Sequence, residues 1–428
     1  MMRVLVVGAT GLIGSAVCAR LLERGMTVVR VVRPGTSRSW TGEAVELDLA
    51  RAVWPADWLP HLSDIAAVVN CAGTLQDGPG EDTTGVHVRG PSALFEACEK
   101  AGVRRVIHFS AMGVEKQQPS PFSRTKFEGD QALMARDLDW IILRPSVVLG
   151  PGAFGASALF RGLAALPVLP LMPDTGRLQV VRLEDVVRTV EMLVHPSAPK
   201  RLVLEVAGPE TLSFEEIVGA YRRWFGWPPA RTLSIPAPLA HLLYKLSDLA
   251  GALGWRPPTR STAQKEITRG ATGDNRAWAE AIQVEPTALS AALAHTPVSV
   301  QERWFAKLYL LKPVVFVVLS LFWISTGTIS LTAGYQIGID LMERTGAGVL
   351  AGPSVIAGAV ADIVIGLAIA VRRTSRTGLY AAIGLSLFYA VAGTILLPEL
   401  WNEPLGPLMK IWPIIVLHLA ALAIIKER

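Results

Sequence analysis

Four long apolar runs dominate the chain after Pro313, at approximately 313–333, 347–371, 377–398 and 408–425, with charged residues falling between them. A backbone that crosses hydrocarbon must satisfy its own N–H and C=O groups, which only helices and closed barrels do. Runs near 20 residues match the roughly 30 Å of a hydrocarbon core. Residues 313–428 are therefore expected to form an all-α bundle of four transmembrane helices. The last run has only 15 residues between Lys410 and Lys426. It spans if Lys410 snorkels and the helix starts near Leu405, with Pro413 in the first turns, where helices tolerate proline. A large soluble helical core is the competing reading. Four successive runs with charges confined to their ends, except Asp362, argue against it.

Basic residues set an orientation. Arg303, Lys307 and Lys312 precede the first run, Arg372, Arg373 and Arg376 separate the second from the third, and Lys426 and Arg428 follow the fourth. The other side holds Arg344 and, near its edge, Lys410. The positive-inside rule then predicts a protein integral to the cytoplasmic membrane, with four spans and both termini in the cytosol.

The first 300 residues follow another rhythm. RVLVV (3–7) reads as a buried strand, and MMRVLVVGATG is too short in its apolar run for a signal peptide. A helix over SAVCARLLERG ends at Gly25, and strands follow at 27–33, 66–73, 103–111 and 139–148. Helices are expected at 90–102 and 125–136. Strands alternating with helices at this spacing indicate an α/β fold built on a doubly wound parallel sheet over residues 1–150. After Gly150, proline-punctuated segments precede a helix (LEDVVRTVEMLV), a strand (RLVLEVAGPE) and another helix (FEEIVGAYRRWFG). Residues 151–300 are thus expected to form a small α+β lobe with connectors, some of its strands returning to the main sheet.

GATGLIG, from Gly8 to Gly14, follows a strand directly and opens a helix. In that setting Gly8 permits a tight turn, Gly11 lets backbone amides approach a pyrophosphate, and Gly14 allows close helix–strand packing. Thr10, Leu12 and Ile13 complete the loop and the helix N-terminus, whose amides carry partial positive charge. The expected ligand is a nicotinamide dinucleotide. Arg33, followed by PGTSR with Ser37 and Arg38, stands where a cation favours the 2′-phosphate of NADP, so NADP is the expected cofactor and NAD the alternative. Asp48 is placed either to receive the adenine amino group or to cap a turn. Asn70, Ala72 and Gly73 are expected to line the cofactor beyond the pyrophosphate, with Cys71 beside it or packed in the core.

The chain's formal charge is only +5, with no Lys/Arg block, which excludes a nucleic-acid arm. Cys18, Cys71 and Cys98 lack metal-ligand spacing and suggest reduced thiols. No metal site is expected.

GATGLIG, Asp48-Leu49, NCAG, GVRRVIHFSAMGV, SRTKFEGD and RPSVVLGP together resemble the short-chain dehydrogenase/reductase superfamily, in its extended or atypical, NAD-dependent epimerase/dehydratase-like branch, over residues 3–300. The resemblance implies a Rossmann fold. LWNEPLGPLMKIWP (400–413) is similar to the DoxX-like membrane family. In the superfamily a tyrosine four residues before a lysine exchanges the proton while the lysine holds the nicotinamide ribose. Lys126 fits the lysine slot, but Phe122 fills the tyrosine slot and has no proton to give. Ser110 is the candidate partner hydroxyl, though the family's position falls two residues later, on Met112. His87, in His-Val-Arg-Gly where members often carry Asn-Val-x-Gly, is either a group titrating near neutrality or a packed residue. Ser123, Thr125 and His108 offer further hydroxyl and imidazole groups.

Asp362 lies mid-span, where a carboxylate is costly and functional by default, with His418 as a partner on the last run; the plainer reading is that both tie the helices together. Trp323, Trp401 and Trp412 are expected to be interfacial anchors or packing residues. Three functions follow. The first is a membrane-anchored NAD(P)H-dependent oxidoreductase acting on a lipophilic carbonyl or quinone-like small molecule drawn from membrane lipid. The second is a catalytically inactive dinucleotide sensor or scaffold. The third, a small transporter or electron-transfer subunit, rests on Asp362 alone.

Overall fold

Short β-branched segments pair first with their neighbours. In a computed structural model, which describes residues 1–35, 42–404 and 406–425, seven of them make one parallel sheet. The strands are β1 (Arg3–Val7), β2 (Thr27–Val32), β3 (Ala44–Glu46), β4 (Ala67–Asn70), β5 (Arg105–Phe109), β6 (Asp139–Pro145), β7 (Val147–Leu149), β8 (Val168–Leu171), β9 (Leu178–Arg182), β10 (Leu202–Val206), β11 (Thr211–Leu212) and β12 (Arg231–Ser234). The main sheet runs β10-β6-β5-β4-β1-β2-β3. The order reverses between β1 and β4, which is the Rossmann switch point where ligands bind. Sequence-expected β10 does return to this sheet, beside β6.

Burial on both faces explains the continuous apolar strands. Val4 and Val6, with Ile107, Phe109, Ile141 and Leu143, face a core completed by α1 (Leu12–Glu23) and α6 (Leu183–Leu193). Leu5, Val7, Val106 and Ile142 face the opposite way. That second layer holds Trp58 of α2 (Pro55–Trp58), the Leu94–Cys98 stretch of α3 (Gly90–Ala101) and Leu133 of α4 (Pro121–Met134). A turn of π-helix, Gly85–Arg89, leads into α3. The helix expected from Thr125 begins at Pro121 instead: Ser120 caps it by accepting from the Ser123 amide, and proline suits a first turn.

The lobe adds a three-stranded sheet β11-β9-β7, a pair β12-β8, and helices α5 (Gly155–Ala164) and α7 (Phe214–Phe225). Residues 257–300 contain α9 (Ser261–Arg269), α10 (Arg276–Ile282) and α11 (Leu289–Ala294). A 16-residue helix, α8 (Ala237–Ala252), was not legible beforehand, and α12 (Val300–Tyr309) precedes the apolar region.

By compactness the chain divides into two units, Met1–Asp248 with Pro257–Ala306, and Leu249–Arg256 with Lys307–Arg428. The second is helical: α13 (Leu311–Leu331), α14 (Tyr335–Arg344), α15 (Ala351–Ala370), α16 (Ser375–Leu396) and α17 (Ile411–Ile424). Three stretches, 311–331, 348–370 and 375–396, are long and apolar enough to cross a membrane. The fourth expected span is shorter: α17 starts at Ile411 and its 14 residues cover about 21 Å. Leu405, Lys426 and Arg428 lie outside the described residues. Small residues let α13 and α15 touch: a Cβ on Gly327 would come 2.3 Å from the Ala359 carbonyl, and one on Gly366 2.8 Å from the Ser320 carbonyl.

Polar groups inside this unit pair differently from expectation. Tyr389 donates to Asp362 across 3.3 Å, while the Trp323 indole donates to His418 across 2.9 Å. Asp362 and His418 therefore have separate partners, each tying two helices. Trp323 is a buried packing residue, Trp401 donates to Thr394, and Trp412 is exposed.

Candidate dinucleotide and proton-transfer site

The loop after β1 is shaped by two backbone clashes that glycine avoids. Gly8 has φ +74°, and a Cβ there would stand 2.8 Å from the Ala72 amide nitrogen. A Cβ on Gly14 would stand 2.2 Å from the Gly8 carbonyl oxygen. Gly11 donates to the Gly8 carbonyl and accepts from Ser15, and no side chain caps α1. The first-turn amides of Leu12, Ile13 and Gly14 are thus left for an external acceptor. Thr10 is exposed at the rim, and the Leu12 and Ile13 side chains pack on the core. These features fit a diphosphate. Arg30 on β2 adds a support that sequence reading overlooked, donating to the Ala9 carbonyl at 3.2 Å.

Asp48 takes the turn-cap role: one oxygen accepts from the Ala50 amide at 3.1 Å, and the other lies 3.7 Å from Arg51. Arg33 is exposed just past β2, and Ser37 and Arg38 lie outside the described residues.

At the far end of β4, Asn70 accepts from the Ala72 amide and donates to His108 Nδ1 at 3.1 Å. That fixes the proton of His108 on Nε2, which stands 3.7 Å from Asp130. Gly73 lies beside Lys126: a Cβ on it would be 3.3 Å from Nζ and 3.7 Å from His87 Nε2. Lys126, 4% exposed, donates to the Phe109 carbonyl at 2.7 Å and the Ala72 carbonyl at 3.2 Å. As an ammonium it keeps a third proton to give. Burial pulls its pKa down to about 8, against Asp130 and Cys71.

His87 is fully engaged. Its Nε2 accepts from the Thr74 amide, so Nδ1 carries the proton and donates to Thr125 at 2.8 Å, whose hydroxyl donates to Pro121. Burial, reinforced by Lys126, holds its pKa well below the ordinary histidine value. It stays neutral at pH 7, so the packed reading stands. Phe122 meets its ring edge-on at 5.6 Å. Ser123 belongs to the cap of α4.

Ser110 is engaged with a buried charge. Its hydroxyl donates to Asp130 at 2.9 Å, and Arg144 donates twice to the same carboxylate oxygen, at 3.1 and 3.0 Å, while also pairing with Glu115 at 2.7 Å. Burial raises the Asp130 pKa, against Ser110 and Arg144. Charged residues within otherwise apolar segments were the available signal for this network. Asp130→Ala leaves Nε and Nη2 of the buried Arg144 guanidinium unpaired while Glu115 still holds Nη1, which is expected to cost about 3 kcal/mol. Thermal unfolding of the detergent-solubilised chain should fall by roughly 10 °C, at about 2–4 °C per kcal/mol; an unchanged midpoint would show the network to be idle.

Cys18 and Cys98 are buried free thiols and Cys71 is partly buried. Among the described residues no cluster of three or more His, Cys, Asp or Glu is placed to hold a metal. A cavity of about 580 Å³ lies on the outer face of α1, lined by Ala16, Arg20, Leu183, Val187, Tyr221 and Leu293 among others. None of the loop, Gly73 or Lys126 residues lines it, whereas the groups that burial shifts strongly, His87, His108 and Lys126, gather around Lys126 and make that region the candidate for chemistry.

Comparison with known proteins agrees with this geometry. Residues 8–157 match the NAD(P)H-binding family, and residues 320–419 match the DoxX-like family. The chain is 29% identical over 184 residues to ceramide reductase of Caulobacter vibrioides, covering 42% of this chain and 57% of that protein. It is also 29% identical over 337 residues to sterol demethylase protein B of Methylococcus capsulatus, covering 71% of this chain and 99% of that one. Among solved structures, MoeE5 in complex with UDP-glucose and NAD shares the fold, with TM-score 0.54, 23% identity, 72% of this chain and 99% of that one.

Proposed function

We propose that this chain, which joins an NAD(P)-binding Rossmann domain to a C-terminal DoxX-like helical domain, is a membrane-anchored NAD(P)H-dependent reductase of a lipophilic carbonyl or quinone-like substrate. The observation that carries the reading is the Lys126 ammonium, buried beside Gly73 with two protons spent on backbone carbonyls and one to spare. A bound nicotinamide supplies hydride. The chain must supply the proton that balances it on the reduced oxygen, and Phe122 has none, while the His87 proton is committed to Thr125. Lys126 is left as the general acid, with a pKa close enough to neutrality for the task. The names of two relatives, one a ceramide reductase and one a sterol demethylase protein, point to lipids as the substrate class.

Gly8, Thr10, Gly11, Leu12, Ile13 and Gly14 would cradle the diphosphate, with Asn70, Ala72 and Gly73 lining the path to Lys126. Arg33 favours NADP over NAD. The end of the helical unit bearing Arg372, Arg373 and Arg376 would face the cytosol, where the dinucleotide pool lies.

Phe122 favours a second reading, a dinucleotide-binding sensor that does not turn over. The deciding assay places the purified chain in lipid nanodiscs with NADPH or NADH and a panel of long-chain ketones, sterones and quinones. Cofactor consumption, faster with NADPH, is expected. Tight cofactor binding with no turnover across the panel would leave the sensor.

A further inference from the structure

Helix α8, APLAHLLYKLSDLAGA, buries one narrow stripe formed by Ala240, Tyr244 and Gly251. Its leucines point the other way. Leu239, Leu242, Leu243, Leu246 and Leu249, with Leu253 just beyond the helix, are 37–59% exposed. At about 100° per residue the five helical leucines fall within an arc of roughly 120°, facing away from the buried stripe. His241 and Lys245 lie outside this arc and are exposed as well. On α12, Val300, Trp304 and Leu308 repeat the pattern at four-residue spacing, all exposed. Water is a poor solvent for two such faces, since soluble proteins rarely expose contiguous apolar patches of this extent.

The end of α8 indicates what covers them. Its last residues and the turn after it belong to the same compact unit as the apolar helices. The Trp255 indole donates to the Ala370 carbonyl at 2.6 Å, and the Arg372 amide donates to the Leu253 carbonyl at 2.9 Å. The Trp255 ring packs on Phe316 at 4.7 Å, with the Arg372 guanidinium 5.4 Å above it. Phe316 lies in the second turn of α13 and Ala370 is the last residue of α15. The turn after α8 is therefore fixed where the membrane-length helices start and stop. Flanking these helix ends within the same unit, the sequence supplies Arg256, Lys307, Lys312, Arg372, Arg373 and Arg376, a basic set that suits anionic headgroups.

We infer that α8, together with the outer stripe of α12, is an interfacial element whose leucine face inserts into the lipid–water boundary of the bilayer that this chain's own apolar helices cross. The geometry is that of a monotopic amphipathic helix, apolar residues in the acyl boundary and basic residues toward the headgroups. The inference rests on the membrane reading of α13, α15 and α16 and is independent of any catalytic activity.

The test is a spin-label scan. Single cysteines at positions 239 to 249 are introduced into the full chain carrying alanine at 18, 71 and 98, and reconstituted in phosphatidylethanolamine/phosphatidylglycerol nanodiscs. Accessibility to oxygen, which partitions into lipid, is compared with accessibility to a water-soluble nickel chelate. Labels at Leu239, Leu242, Leu243, Leu246 and Leu249 are expected to favour oxygen several-fold, and labels at His241 and Lys245 to favour nickel, giving a helical oscillation. A label at Val317, an exposed residue of α13, serves as the in-membrane reference. Nickel access at the leucines equal to that at Lys245 would overturn the inference, with Val317 still in lipid. Protection of the leucines from both reagents would overturn it too, assigning the face to a second copy or another protein. A water-accessible Val317 would remove the membrane reading itself and this inference with it.

Discussion

Gly14→Ala is expected to weaken dinucleotide binding by about 100-fold or more, because a methyl group 2.2 Å from the Gly8 carbonyl oxygen forces α1 away from its turn. A shift of that kind moves the amides of Leu12 and Ile13 off the position a diphosphate needs, and losing one or two hydrogen bonds to a charged group, at about 1.5–3 kcal/mol each, is enough for two orders of magnitude. Tenfold in affinity is about 1.4 kcal/mol. Gly11→Ala separates binding from folding. Its Cβ would sit 3.4 Å from the Gly8 oxygen, an ordinary contact, and its φ of −80° suits any residue. The free chain should keep its melting temperature with Gly11→Ala while losing affinity, because the methyl group occupies the approach to the phosphates. Titration of NADPH fluorescence against full-length chain in nanodiscs measures both variants. Wild-type affinity in the two together would remove the loop as the binding site.

Lys126→Met is expected to lower kcat/KM by about 10²–10⁴, the usual worth of a positioned acid, once a substrate from the panel is in hand. Its signature is the pH profile. Carbonyl reduction needs the protonated amine, so kcat/KM should be level at low pH and decline as pH rises through about 8, the value to which burial brings this amine. The Met variant should lack that decline. Lys126→Arg keeps the charge and the hydrogen bonds but cannot release its proton, so it should hold cofactor affinity near that of the parent while losing turnover. A decline near pH 8 that persists in Lys126→Met would mean that another group is being titrated.

Much of this fold was legible because it rests on short-range rules. A glycine turn between a strand and a helix is fixed by backbone sterics within seven residues, and Gly8 and Gly14 hold the close approaches expected of them. Apolar runs are legible by length alone. The reading stopped where a helix is stabilised by something other than its own pattern. Helix α8 has two apolar faces, one buried and one exposed, so its periodicity is blurred. The shortened α17 could not be told from a longer span, because Leu408 and Met409 carry apolar character beyond Lys410 and composition does not fix where the helix begins. Asp48 offered two roles, and the turn cap became visible only with the position of the Ala50 amide.

The sequence alone determined where a glycine turn opens the first helix, which stretches are apolar enough to be candidates for crossing a membrane, and that the residue four before Lys126 is Phe122, which has no proton to give. Those are properties of local sterics, length and chemical identity. Only the tertiary structure decided that Ser110 serves Asp130 and Arg144, that His87 is neutral and committed to Thr125, and that Asp362 meets Tyr389 while His418 meets Trp323. Each of these depends on groups 20 to 95 residues apart, and hydrogen bonding acts only across about 3 Å. Folding alone brings such groups within that reach.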